Sequence, residues 1–530
     1  MKTRNIIHSS VLIALSAFTF SACNDFLDEM PDNRATLDNE DKITNMLVSA
    51  YTTNTPNLVM EYMSDNVNDE GENNPYTDRF YDQVFYWEDV TENDNESPES
   101  FYDASYQAIA SSNAALEAIE DLGGATSAKL QAAKGEALIA RAYNHFMLVN
   151  FFCKPYNSET STKDLGLPYA EKSDTTLRPE YERGTVAEDY AKIEKDIEEG
   201  LPLVSDEFMT VPKYHFNQKA AYAFAARFYL YYEKWDKCIE YATKALGSDP
   251  ASVLRDYVAI RNATQSREAI TQMYIDAGEN ANLLLLTGYS NLGLIFGPYY
   301  VGCRYSHDSY IGTHETAYVD QVWGSPSLII NGIKRYAATN LNKYIFWRYP
   351  YLFEYTDPVA GIGFRHTVTP ALTTDETLLN RAEAFAILKQ YDNAIADLNT
   401  WMHNFTSSKV VLTQDVINNF YNAATYSYED ADKKIGTVKK HINPHFAIDA
   451  EGSDQENLLQ CVLSFKRLEE LHGGLRWNDV RRYRIVIPRI VMNASTQPDK
   501  VVDWLQTDDP RYAIQLPKKV IDAGMVKNPR

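Results

Sequence analysis

The stretch QKAAYAFAARFYLYYEKWDKCIEYATKAL, residues 218–246, decides the fold. Ala221, Ala225, Tyr229 and Tyr232 recur at helical spacing and mark one face of a first helix. Trp235-Asp236 reads as the turn, and Cys238, Ala242 and Ala245 mark a second helix that closes before Pro250. Small residues where two helices cross let their backbones approach closely. The stretch therefore predicts a tight helical hairpin.

The arrangement returns at LLNRAEAFAILKQYDNAIADLN (378–399), with Tyr391-Asp392 at the turn and Ala394 at the crossing. Both copies match the tetratricopeptide pattern, and repeats this far apart imply a solenoid interrupted by insertions. Outward from them, Asp103–Leu122, Lys134–Phe152 and Thr185–Leu201 are further amphipathic runs, the first ended by Gly123-Gly124 and the third followed by Pro202. Two stretches break helical periodicity. Glu61–Ser100 interleaves Tyr76, Phe80, Tyr81, Phe85, Tyr86 and Trp87 with Asn, Asp and Glu, and Ala277–Pro370 is rich in Gly, Pro and Tyr. Long irregular segments inside a helical protein usually carry function.

The N-terminus precedes the fold. Lys2 and Arg4, the apolar run Val11–Phe20 and Ser21-Ala22 read as a secretory signal over residues 1–22. Cys23 follows at once, and resembles the lipidated cysteine of a bacterial lipoprotein. Several acyl chains there, palmitate among them, would hold the protein to a membrane at about 0.8 kcal/mol per buried CH₂. Cys153, Cys238, Cys303 and Cys461 form no C-x-x-C pair, so zinc and thioredoxin-type chemistry find no support and buried thiols are expected. No run reaches the roughly 18 apolar residues of a membrane span. With 50 basic against 73 acidic residues the formal charge is −23, which would repel phosphate and excludes a nucleic-acid partner.

In their order along the chain, several motifs resemble the SusD/RagB family of outer-membrane nutrient-binding lipoproteins of Bacteroidota. They are Cys23 with Asp25-Phe26-Leu27-Asp28; Tyr106, Ile109 and Asn113; GEALIARAYNHFMLVNFF (135–152); Arg183-Gly184-Thr185-Val186; Arg381-Ala382-Glu383-Ala384; RLEELHGGLRWNDVRR (467–482); and Asn528-Pro529. Gly473 and Glu470 depart from the late signature, standing where a second Glu and a Leu are usual. The resemblance implies a mainly α fold, about four tetratricopeptide helix pairs with long loop-rich insertions forming a ligand face. It also implies one unit over 23–530: an N-terminal half to about 275 holding a binding loop at 61–100, and a C-terminal half from about 276 holding the 277–370 insertion and repeat helices over 372–485. It further implies an outer-membrane location facing the medium, capture of a glycan, and its delivery to a SusC-like TonB-dependent transporter. No reaction and no cofactor are implied. A peptide- or protein-capturing member is the alternative. A glycoside hydrolase is disfavoured, because no acid/base pair can be singled out among so many carboxylates.

A neutral sugar offers C–H faces to aromatic planes and a hydroxyl rim to polar side chains. The chain has 37 Tyr, 22 Phe and 7 Trp, and the tyrosines crowd the two insertions. Tyr81, Trp87, Tyr299, Tyr300 and Trp323 are the expected stacking residues, with Asp65 and Asn66 as hydrogen-bond partners. Trp235, Trp401 and Trp477 sit at helical positions and read as core. Asn66–Gly71 faintly resembles the start of a calcium loop, whose twelfth position is Thr77 rather than a bidentate Glu. His441 and His445 cannot share a helix face across Pro444.

Overall fold

The computed structural model describes residues 37–74, 76–173, 181–297, 303–330, 335–338 (backbone) and 342–530. Cys23, Tyr299 and Tyr300 lie outside them. The chain is mainly α. Helices α1 (Pro98–Asp121), α2 (Ala128–Phe152), α3 (Val186–Gly200), α4 (Gln218–Tyr231), α5 (Trp235–Leu246), α6 (Thr374–Ile387), α7 (Tyr391–Phe405), α8 (Gln414–Ala423) and α9 (Asp454–Glu469) form the scaffold. Consecutive pairs α1/α2, α4/α5, α6/α7 and α8/α9 pack as hairpins, while α3 lies on α2, and α6 lies on both α5 and α9.

The termini of these helices carry their own signals. Ser97 accepts from the Ser100 N–H ahead of Pro98, and Thr185 with Glu188 closes a reciprocal cap on α3. The two repeat hairpins turn alike. Glu233 and Lys389 both adopt left-handed backbone, with φ 59° in each. Trp235 and Tyr391 therefore open the second helices instead of making the turns, which fall just before them.

Ala221, Ala225, Ala242, Ala245 and Ala394 are fully buried at the crossings. Charge is buried among them too. Arg141 grips Asp196 with two bonds of 2.7 Å, and Arg381 grips Asp397 at 2.8 and 2.7 Å. Arg227 reaches Glu376 at 2.6 Å, and Glu383 binds both Lys466 and Arg482 at 2.8 Å. Bidentate pairs of this kind fix the register of helix on helix, and loss of one partner strands the other charge. Cys153, Cys238, Cys303 and Cys461 are buried free thiols.

The insertions, expected to be loop-rich, carry sheet. In a three-stranded antiparallel sheet, β3 (Ile362–Thr373) lies between β1 (Asn282–Tyr289) and β2 (Leu352–Asp357). Residues Leu283–Leu286 of β1 and Val368 and Leu372 of β3 are buried against the scaffold. Beyond His366, β3 leaves β1 and pairs only with β2, so its first half projects as a two-stranded ribbon. The 61–100 segment likewise begins in the last turn of helix Asn57–Met63 and holds helix Arg79–Phe85. Its Asn68–Asp69 joins Tyr305–Ser306 and the hairpin of β4 (Ile487–Met492) and β5 (Pro498–Leu505) in a second sheet. Segments far apart in sequence thus meet in one sheet.

Candidate functional site

The ribbon carries the site. Asp357 accepts from the N–H groups of Val359 and Ala360, and Gly361 takes φ 68°, so the chain reverses there. Side chains alternate across the ribbon. Phe353 stands opposite Arg365, and Tyr355 opposite Gly363, which places these four on one face. Glu354, Phe364 and His366 take the other, beside Tyr289. Phe353 and Tyr355 meet edge to face with centroids 4.8 Å apart, and Tyr289 meets Phe364 at 5.3 Å. Tyr355 is 58% and Phe364 45% exposed. A patch of solvent-facing aromatics rimmed by polar groups marks an interaction surface.

A cleft of about 210 Å³ opens at the ribbon's base, bounded by Phe353, Gly363 and Arg365 on one side and by Asp94, Asn95 and Asn291 on the other. A β-carbon at Gly363 would lie 2.7 Å from the Phe353 ring and 2.0 Å from the Glu354 carbonyl, so the ring uses the room this glycine leaves. Arg365 donates to Asn291 Oδ1 at 3.1 Å, and Asn291 Nδ2 donates to the Tyr81 hydroxyl at 3.1 Å. The amide is thereby held from both ends. Beneath it, Glu96 accepts from the Asn291 N–H, and burial pushes its carboxyl up to about 8. Asn54 donates to the Asn95 carbonyl at 2.7 Å, and Asp94 accepts from the Glu96 N–H at 3.1 Å. The cleft thus presents an aromatic wall, a guanidinium, a carboxylate and the Asn95 amide, with Asn291 holding the guanidinium in place on a supported floor. That set matches the C–H face and hydroxyl edge of a sugar ring.

Of the expected stacking residues, Trp323, Trp87 and Tyr81 turn inward, and Tyr299 and Tyr300 lie outside the described residues. Trp323 is fully buried, packed on Phe465 at 5.2 Å and Trp401 at 6.4 Å. Trp87 is buried, donates to the Met63 carbonyl at 2.9 Å and lies under the Arg489 guanidinium, 3.7 Å from its ring centre. Each fills the core because the irregular segment around it folds over the scaffold. Asp65 is consumed by Arg476, and Asn66 by Arg467 at 2.8 Å and Glu61 at 3.1 Å, so neither offers a free acceptor to a ligand. Tyr81 is also buried; it supports Asn291 from behind. Trp401 and Trp477 are core, as expected. In the faint calcium segment Asp69 pairs with Arg304 at 2.7 Å, and no group of three His, Cys, Asp or Glu side chains converges among the described residues.

Sequence reading missed Phe353, Tyr355, Phe364, Gly363, Arg365, Asn291 and Asp94. The signal was present in the alternation of Leu352–Asp357 and Ile362–Thr367 about an Asp357…Gly361 reversal, a hairpin pattern. Both missed groups fall inside the two segments singled out as irregular.

Residues 25–230 match a SusD-like family model described as starch-binding associating with outer membrane. No curated protein matches the chain. A SusD superfamily protein from Bacteroides thetaiotaomicron VPI-5482 is similar in structure, with TM-score 0.57 and 16% identity over 94% of this chain and 100% of that one. A SusD superfamily protein from Bacteroides vulgatus ATCC 8482 gives 0.58 and 18% over 94% and 99%. A SusD-like carbohydrate binding protein from the same organism gives 0.58 and 15% over 92% and 97%.

Proposed function

With the SusD-like match over residues 25–230 and a SusD-superfamily fold along the chain as the premise, we propose that the protein captures a neutral glycan on the β2–β3 ribbon. One observation carries this reading: Phe353 seated over Gly363 beside the Arg365–Asn291 pair, at the mouth of an open cleft. The protein acts by binding, with no bond made or broken. Cys23 carries the lipid anchor after removal of residues 1–22, and the chain faces the medium from the outer membrane. From there it passes its glycan to a SusC-like TonB-dependent transporter. The description of the matched family supports an α-glucan of the starch type as first ligand.

The ribbon's tip favours a second use of the same element. Val359 is 99% exposed and Ile362 61%, and aliphatic side chains offer nothing to sugar hydroxyls. They suit contact with the transporter.

Calorimetric titration with maltoheptaose tests the reading. Phe353→Ala and Tyr355→Ala should each weaken binding by about 1–3 kcal/mol while the melting temperature holds. Parent-like affinity in both variants would remove the ribbon from the site.

A further inference from the structure

A second cleft, of about 590 Å³, lies between the 425–441 segment and the β4–β5 hairpin. Tyr428 and Trp504 form its aromatic walls, with centroids 5.8 Å apart and planes at 86°. Glu429, Lys433 and His441 stand exposed on its rim. None of these residues belongs to the ribbon.

The tyrosine is held with unusual care. Its backbone is left-handed, φ 65°, which is costly for a residue with a large side chain. Its N–H donates to the Ile435 carbonyl at 2.7 Å. Asp430 gathers the N–H groups of Asp432, Lys434 and Ile435 and so closes the loop beside it. The Tyr428 hydroxyl accepts from Lys440 Nζ at 3.1 Å, and the same ammonium lies 4.6 Å from its ring centre. Lys440 is buried and fixed by Glu315 at 2.7 Å, with Asp65 at 3.8 Å. Even the backbone makes room, because a β-carbon at Gly436 would overlap Glu315 Oε1 at 1.8 Å. A core needs none of this for a ring that is only half-buried; a rigid binding wall does.

We propose that this cleft is a second saccharide site, taking a neutral stretch of two or three sugar rings whose faces pack on Trp504 and Tyr428 and whose hydroxyls meet Glu429 and Lys433. Neutrality follows from the local charge. On the exposed rim Lys433 is balanced by Glu429. Behind Tyr428 the buried cations Lys440, Arg467 and Arg476 are engaged with the carboxylates of Glu315 and Asp65 rather than presented to the cleft. The ligand class rests on the glycan-binding reading above, whereas the position of the cleft does not. Two sites on one chain would let a polysaccharide strand bind at both, so that the second contact forms at high effective concentration.

Titration with maltoheptaose, and with soluble amylose as the long ligand, decides it. The parent should bind two maltoheptaose molecules per chain. Trp504→Ala should bind one, with the remaining affinity within twofold of the ribbon site, and should bind amylose at least tenfold more weakly than the parent. Tyr428→Phe, which removes only the hydroxyl held by Lys440, should give an intermediate loss with an unchanged fold. One molecule per chain in the parent, identical titrations of parent and Trp504→Ala, or no binding of maltoheptaose at all would each overturn the proposal. Binding lost only in Phe353→Ala and Tyr355→Ala overturns this cleft and keeps the ribbon; binding lost only in Trp504→Ala does the reverse.

Discussion

Asp65 and Arg476 are separated by 411 positions, yet they meet in a buried two-bond ion pair with N···O distances of 2.8 and 3.0 Å. Arg467 donates to the Asp65 carbonyl at 2.7 Å and to Glu315 at 2.9 Å, and Glu315 holds Lys440. The first irregular segment is thereby locked to the late helical signature and to the floor of the second cleft. Burial alone would push the Asp65 carboxyl up, but Arg467, Arg476 and Lys440 together hold it well below the usual aspartate range.

Breaking that pair from one side should be severe. Asp65→Ala leaves two guanidinium groups and an ammonium short of a counter-charge, at a cost of about 3–5 kcal/mol in urea unfolding. Its sign with pH is also fixed. Because the folded carboxyl titrates below the unfolded one, its contribution is present above the ordinary aspartate value and lost as pH falls through the folded value. The parent should therefore lose stability towards acid faster than Asp65→Ala. Parallel acid profiles for the two would contradict the assignment.

Glu96 behaves in the opposite sense. Its folded carboxyl is raised to about 8, so its contribution is complete below the unfolded glutamate value and declines as pH rises through 8. Glu96→Gln should remove that decline, which is at most about 1.4 kcal/mol per pH unit. Parent and variant stabilities measured from pH 5 to pH 9 should converge in acid and separate in alkali, with the variant the more stable. A constant difference would place the Glu96 proton elsewhere.

Trp323→Ala should cost about 3–5 kcal/mol, since a fully buried indole leaves a cavity among Trp401 and Phe465. Thermal melting checks this. Under conditions where the variant remains folded, its affinity for maltoheptaose should match the parent.

Gly363→Ala should act the other way round. The added methyl overlaps the Glu354 carbonyl as well as the Phe353 ring, so the β2–β3 pairing must shift locally and the ring must move. Affinity at the ribbon should fall several-fold, while the melting temperature of the scaffold, which the projecting ribbon does not support, moves little. Equal affinity would show that the seat of Phe353 is irrelevant to binding.

The scaffold was legible because it is periodic. Alanines at crossing positions and tyrosines one turn away leave few alternatives to a helical hairpin, and both hairpins are there. The late motif was legible too, though its meaning was not. Glu383 of α6 receives Lys466, Arg482 and the Tyr483 hydroxyl, so the A-E-A and R-W-N-D-V-R-R stretches are two halves of one buried ionic core. The identity of the binding side chains was obscure for a physical reason. In an irregular segment nothing local says whether a tryptophan faces in or out. Trp87 and Trp323 were turned inward by partners distant in sequence, Arg489 in one case and Trp401 and Phe465 in the other. The ribbon is legible from the twofold alternation of Leu352–Asp357 and Ile362–Thr367, a local signal that needs no distant partner.

Strand β3 runs without a break from the buried sheet into the exposed ribbon. Its ladder to β1 is antiparallel, with hydrogen bonds lying across the strand direction. A tug along the ribbon, such as a departing cargo or a moving neighbour would exert, loads those bonds together in shear. A sideways peel would break them one after another. The ribbon can therefore bear axial tension while the scaffold stays assembled, and it would yield most easily to a pull at right angles.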